Sequence, residues 1–218
     1  MSRPEIVIWG AAGHAMVIAD AVCLESEYQI AGFLDDLHPD RRGAAFCGAR
    51  ILGGREQLPR LRDRGVKHII VAVGDCRTRL RLAAVARQQG LTLARAVHPK
   101  AAVAADVTLG PGSVVMAGAV INSGSRIGEN VIVNTSASVD HECVLADGVH
   151  VCPGVHLAGN VHVGRATQLA IGSSAINGIR IGAGTLIGAG AVVVEDVPDE
   201  VLAYGVPARV VKHRLKVA

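Results

Sequence analysis

The sequence predicts two architectures in tandem: a small, Rossmann-like parallel α/β sheet over residues 1–96, then a parallel β-helical solenoid over 97–218. Two observations carry this. The first is a period of six. Every sixth residue from Val97 to Val193 is apolar. Sixteen of these seventeen are Val, Leu or Ile (Ala175 is the exception), although only 63 of the 218 residues are of those types. The residue two places earlier is small or β-branched as well, as at Ser125, Val131, Ala137, Cys143 and Val149. With so short a repeat, each unit buries its apolar residue only by stacking on its neighbours. The second observation is the alternation of strand and helix patterns ahead of Pro99, which reads as βαβ units around a parallel sheet.

In order, Glu5–Trp9 is apolar enough for a buried strand, and "GAAGHA" leads into a helical run from Ala15 to Ser26. Ile30–Leu34 reads as a second strand ending at Asp35 and Asp36. "ARILGG" reads as a short strand or turn, and Arg55–Arg64 as a helix stopped by Gly65. Lys67–Val73 is a third buried strand closing on Gly74, and Arg77–Gln89 has helical periodicity ended by Gly90. Leu91–Val97 returns as a strand before the solenoid begins.

Ligands of such sheets sit at the carboxyl ends of the strands. Three strand ends therefore matter: Gly10 to His14, Asp35–Asp36, and Gly74. Gly10 and Gly13 would let backbone N–H groups approach a phosphate at the following helix N-terminus, or would simply form a tight turn. The stretch is not the full G-x-G-x-x-G, so a redox dinucleotide is disfavoured. Asp35 or Asp36 can accept from the imino N–H of a base or cap a turn; His14 can reach a phosphate or cap its helix.

Composition excludes other classes. A net charge of +3 and 2% aromatics give neither an electrostatic footprint nor a stacking platform for nucleic acid. Five cysteines at irregular spacings argue against a disulfide framework and for a reducing, cytoplasmic setting. Neither a signal-peptide core nor an apolar run of membrane-spanning length is visible.

The literal pattern [LIV]-Gly-x-x-x-x, in "LGPGSV", "IGENVI", "VGRATQ", "IGAGTL" and "IGAGAV", resembles the hexapeptide-repeat acyltransferases. The resemblance implies a left-handed helix with three flat faces and eighteen residues per coil; general packing rules alone favour right-handed crossovers. "GAAGH", "FLDD", "AVGD" and "NTSASVDHECVLADGVHVCPGVHLAGNVHVG", in that order, narrow it. They resemble bacterial sugar acyltransferases of the sialic acid O-acetyltransferase and nucleotide-linked 4-amino-sugar N-acetyltransferase type. The resemblance implies acetyl-CoA as cosubstrate and a nucleotide-linked sugar held by the α/β domain. It also implies a homotrimer with active sites between neighbouring β-helices.

Acyl transfer from a thioester needs a base and donors for the developing oxyanion. His141 in "VDHEC" is the candidate base, because imidazole titrates near neutrality and is proton-free yet basic there. It lies two places after the inward Val139, off the buried positions. By resemblance Glu142 orients it, although Asp140 can do so instead; Asp140 is otherwise counted with the sugar-nucleotide-binding residues. One coil beyond His141 is Gly159, expected to stack beside it one strand spacing away, ~4.8 Å. By resemblance, Gly159 donates its N–H to the thioester carbonyl.

The resemblance further makes His150 a second active-site histidine near acetyl-CoA and places Asn134 in the sugar pocket. It sets Ile171 and Ala189 along the pantetheine arm, and Arg209 near a CoA phosphate. His150, His156 and His162 recur every six residues, so they fall on three different faces and cannot converge on zinc within one chain; no metal is expected. Cys143 sits at an inward position, which favours direct transfer over an acyl-enzyme. The rival readings are O-acetylation of sialic acid or another sugar hydroxyl, a zinc-dependent hydratase on the same solenoid, and a non-enzymatic scaffold.

Overall fold

A computed structural model describes residues 3–213 and resolves the chain into two compact units, Met1–Pro99 and Lys100–Ala218. In the first unit the strands are β1 (Glu5–Trp9), β2 (Gln29–Leu34), β3 (Ala45–Phe46), β4 (Ala49–Gly53), β5 (His68–Val71) and β6 (Thr92–Leu93). The helices are α1 (Gly13–Glu25), α2 (Leu58–Asp63) and α3 (Cys76–Gln88). The six strands form one sheet in the order β3-β4-β2-β1-β5-β6. All neighbours are parallel except the β3–β4 hairpin.

Alternation along β1 splits its side chains between two cores. Val7 and Trp9 join Leu58 and Leu61 of α2 and Leu82, Ala83 and Ala86 of α3 in one buried cluster. Ile6 and Ile8 point to the opposite face, and α1, which packs on β1 and β2, buries Ala15, Ile18, Ala19 and Val22. Burying each such aliphatic stabilises by about 1.5–3 kcal/mol.

The structure corrects two boundaries and adds a hairpin. The expected helix from Arg55 begins as a single 3₁₀ turn, Arg55–Gln57, and becomes α-helical only at Leu58, just before Pro59. Proline has no N–H to give an α-helical interior and is accommodated in the first turn. The expected strand Leu91–Val97 divides into Thr92–Leu93 and Ala96–Val97. The β3–β4 hairpin was not legible because its two-residue turn, Cys47 (φ 44°) and Gly48 (φ 77°), puts cysteine where asparagine, aspartate or glycine is usual.

The second unit is a three-sided parallel β-helix. Until the last coil, the two-residue strands pair in parallel with strands eighteen residues later: Val114 with Ile132, Val120 with Ser138, Arg126 with Val144. Three stacked sheets result. The inward aliphatic and the small residue before it are both buried, as Val139, Ala137, Cys143 and Val149 at 0% exposure show.

One residue at each corner is left-handed, again every six residues: Gly112, Gly118, Gly124, Asn130, Ser136, Glu142, Gly148, Gly154, Asn160, Ala166, and glycines at 172, 178, 184 and 190. Glycine and asparagine visit this region readily. Glu142, at φ 60°, is therefore a marked choice at its corner. The solenoid ends in an antiparallel pair, Val201–Tyr204 with Arg209–His213.

Candidate active site

His141 and Gly159 come together as the eighteen-residue count predicts. They share one edge of the prism, where Glu142 N–H donates to Ser123 O, Asn160 N–H to His141 O, and Gly178 N–H to Gly159 O. A Cβ on Gly159 would lie 2.5 Å from His141 Nε2 and 3.0 Å from Nδ1. Gly159 is not among the residues with positive φ, so its turn does not demand glycine. The space taken by the imidazole does.

The His141 side chain is 60% exposed, and its Nδ1 lies 3.2 Å from Glu142 Oε2. Asp140 does not take the ring. Its Oδ1 accepts from the His141 backbone N–H at 2.8 Å and from Asn122 Nδ2 at 2.8 Å. These donors, the Asn122 amide foremost, hold the Asp140 carboxyl below its ordinary value. A largely exposed histidine with a carboxylate at Nδ1 is arranged to accept a proton at Nε2 from an incoming nucleophile.

A second edge carries most of the remaining solenoid residues. Gly154 N–H donates to Thr135 O, Gly172 N–H to Pro153 O, and Gly190 N–H to Ile171 O, so Thr135, Pro153, Ile171 and Ala189 form one column. Ile171 is 60% exposed. Beside it Asn134 Nδ2 sits 3.3 Å from His150 Nε2, and His150 is buried between Ile132 and Gln168 on its sheet. Within one chain this edge and the His141 edge are different corners of the prism.

His150, His156 and His162 lie on three different sheets. His156 Nδ1 meets Ser138 Oγ at 2.8 Å, and His162 Nε2 meets Asn160 Oδ1 at 3.3 Å. Among the described residues, no group of three or more His, Cys, Asp or Glu is placed to hold a metal. Cys143 is buried with its thiol donating to Ala158 O, and burial pushes the thiol pKa up, away from a nucleophilic thiolate. Arg209 is exposed and lies 3.6 Å from Glu195, a pairing of little energetic weight.

In the α/β unit the three strand ends enclose a cavity of about 340 Å³, with Trp9, Leu34, Val73 and Leu82 as apolar walls and Gly10, His14, Asp36, Gly74, Thr78 and Arg81 among its polar lining. Gly10 (φ 134°) is structurally required, because a Cβ there would lie 2.6 Å from Ala72 O. Gly13 is not: it faces open space at the start of α1, whose first turn has neither a side-chain cap nor an acidic residue. Such a helix start favours an anion.

The two aspartates separate. Asp35 caps its turn, accepting from Leu37 N–H and His38 N–H, and pairs with Arg41 at 2.9 Å. Both line the cavity, but Asp36 Oδ2 accepts from Trp9 Nε1 at 3.1 Å and pairs with Arg55 Nη2 at 2.7 Å. Sequence reasoning missed Trp9 and Arg55 as site residues. It also missed Arg79, which is 1% exposed and donates from Nη1 to Val73 O and Gly74 O, both at 2.9 Å, fixing the third strand end.

Burial, reinforced by the Arg79 charge, pushes the His14 pKa down to about 4. Near neutral pH His14 is thus uncharged. The unfolded chain takes up a proton at this residue below its ordinary value of 6.5, and the folded chain does so only near 4. Stability from this group is therefore present above the unfolded pKa and is lost as pH falls through that window. Urea titrations across the window should show the parent losing more stability on acidification than His14→Gln does; parallel curves would contradict this.

These features define a hexapeptide-repeat acyltransferase preceded by a small α/β unit. Residues 5–86 match the PglD N-terminal domain. The perosamine N-acetyltransferase of Caulobacter crescentus is 42% identical. Its H141N mutant, in complex with CoA and GDP-perosamine, superposes at a TM-score of 0.92 over 97% of this chain and 98% of that one. The acetyltransferase domain of PglB from Neisseria gonorrhoeae FA1090 is 36% identical, with a TM-score of 0.90 over 96% of this chain and 100% of that one. A 48-residue stretch is 48% identical to the 2,3,4,5-tetrahydropyridine-2,6-dicarboxylate N-acetyltransferase of Enterococcus faecalis, spanning only 21% of either chain. The chain belongs to the bacterial sugar acetyltransferases built on a hexapeptide-repeat, left-handed β-helix.

Proposed function

We propose that this protein transfers the acetyl group of acetyl-CoA directly to the amino group of a nucleotide-linked amino sugar, in the biosynthesis of surface glycans or glycoconjugates. The observation that carries the reading is the His141–Gly159 stack, with Glu142 on the far side of the ring. His141 Nε2 takes the proton as the amine attacks the thioester carbon. Glu142 holds the ring and stabilises the imidazolium that forms. The Gly159 N–H meets the oxyanion, the C–S bond breaks, and CoA leaves as the thiolate to be protonated.

The α/β cavity is the proposed seat of the nucleotide, with Gly10, Gly13 and His14 toward the phosphates and Gly74 and Asp36 toward the base. Asp35 acts there through the turn it caps. Ile171 and Ala189 offer an apolar path for the pantetheine arm, flanked by His150, with Arg209 near a CoA phosphate and Asn134 toward the sugar. The two sets of solenoid residues occupy different edges of one prism. A homotrimer would set one chain's His141 edge against a neighbour's Ile171 edge and complete the site between subunits. The absence of a disulfide among the described cysteines suits a reducing, cytoplasmic setting, and no described helix is long and apolar enough to cross a membrane.

The test is release of CoA thiol when acetyl-CoA is mixed in turn with GDP-, UDP- and dTDP-linked 4-amino sugars and their 4-hydroxy counterparts. The Caulobacter relative is crystallised with GDP-perosamine, so the GDP-linked amine is the first acceptor to try. Turnover with one amine series and none with the hydroxyl sugars is expected. Turnover confined to hydroxyl acceptors, or to free sialic acid, would overturn the amine assignment.

A further inference from the structure

We propose that Asn122 and Asp140 form a strut that positions the catalytic base, Asn122 acting through Asp140 and Asp140 through the backbone of His141. The inference rests on the reading of His141 as the base. It assigns work to two residues that touch neither the ring nor the reacting atoms.

The geometry is a relay between successive coils. Asn122 stands eighteen residues before Asp140 on the same sheet edge, and its Nδ2 donates to Asp140 Oδ1 at 2.8 Å. The same oxygen accepts the His141 backbone N–H at 2.8 Å. The Asp140 carbonyl is fixed separately, by Ser125 Oγ at 2.9 Å. On the other side of His141, Glu142 N–H donates to Ser123 O at 3.0 Å, while the Ser123 hydroxyl and the Gly124 N–H both donate to Asp106 Oδ2, at 2.7 and 2.9 Å. His141 is thus flanked on one side by side chains of the coil below and on the other by the Ser123 carbonyl, whose own turn Asp106 braces.

An exposed corner needs such bracing. Glu142 sits at φ 60°, a conformation that costs a non-glycine residue about 1–2 kcal/mol and is kept only when its surroundings impose it. The ring it orients is largely exposed and rests on one side against Gly159. A shift of about 1 Å in a reacting group can cost ~10²-fold in rate. A carboxylate gripped by a neighbouring coil is what keeps the His141 Cα in place against Gly159.

The strut predicts a particular pattern in steady-state kinetics with acetyl-CoA and the amino sugar. Asn122→Ala and Asp140→Ala should each lower kcat about tenfold or more, with KM for both substrates within about twofold of the parent and Tm nearly unchanged. The double variant should be no slower than Asp140→Ala, because residues acting as a unit are not additive. Asp140→Asn should recover most of the turnover lost in Asp140→Ala, since an amide oxygen still accepts the His141 N–H. A raised KM for the sugar in Asp140→Ala, with kcat kept, would make Asp140 a substrate contact and overturn the proposal. Parent-like kcat in both single variants, or a fall in kcat matched by a large fall in Tm, would overturn it too. His141→Ala in the same assay keeps the two readings apart. If it stays active, the base assignment fails; if it is inactive while both strut variants are at parent rate, only the strut fails.

Discussion

Replacing His141 by alanine is expected to lower kcat about 10²–10⁴-fold while leaving KM for acetyl-CoA and the melting temperature near the parent values. The rate effect is that of removing a positioned general base. The unchanged stability follows from the side chain's 60% exposure: it fills no core and leaves no cavity. An unchanged KM follows because the thioester's binding groups are assigned to the other edge of the prism, where Ile171 and Ala189 lie. A variant that kept most of its kcat would remove His141 from the mechanism, whatever the fold.

The second large effect is expected from the smallest change. Gly159→Ala adds one methyl group, which would arrive 2.5 Å from His141 Nε2. The backbone at 159 is fixed by the coil ladder, so the exposed imidazole is what gives way. The imidazole must swing away from the position where it meets the amine. A loss of ~10² or more in kcat is expected from such displacement, with the melting temperature little changed because Gly159 is not in a glycine-only conformation. This contrasts with Gly10, where φ 134° and the close approach of Ala72 make alanine a folding lesion. Near-parent turnover in Gly159→Ala would mean that the ring does not work where the structure places it.

How much of this was legible in the sequence depended on the range of the signal. The solenoid declared itself because a six-residue period is local, and every coil repeats the evidence. The pairing of His141 with Gly159 was equally legible, because counting eighteen residues along a regular coil is a structural statement. Glu142 and Asp140 were not separable from sequence, since both neighbour His141. Only the left-handed turn at 142, which aims one carboxylate at Nδ1, and the Asn122 amide, which claims the other, tell them apart. Asn122 was invisible because an exposed asparagine one coil earlier carries no periodic mark.

In the α/β unit the strand ends were found, but their chemistry was not. Asp35 and Asp36 are adjacent and alike in sequence; Arg41 engages one and Trp9 with Arg55 the other, partners up to 27 residues distant. The corner column offers a signal that reading for aliphatic residues passes over. Three residues after each inward aliphatic stands glycine or asparagine at most corners, and glutamate at the one beside the base.

The central claim is direct transfer, with no acetyl group resting on the protein. It is tested most directly by intact mass spectrometry of the enzyme mixed with acetyl-CoA, first without acceptor and then with the nucleotide-linked amino sugar. Unmodified protein is expected in both mixtures and, once the sugar is present, one acetyl group on its nitrogen for each CoA thiol released. An acetylated enzyme when the sugar is withheld, above all with the acetyl on Cys143 or Cys152, would contradict it.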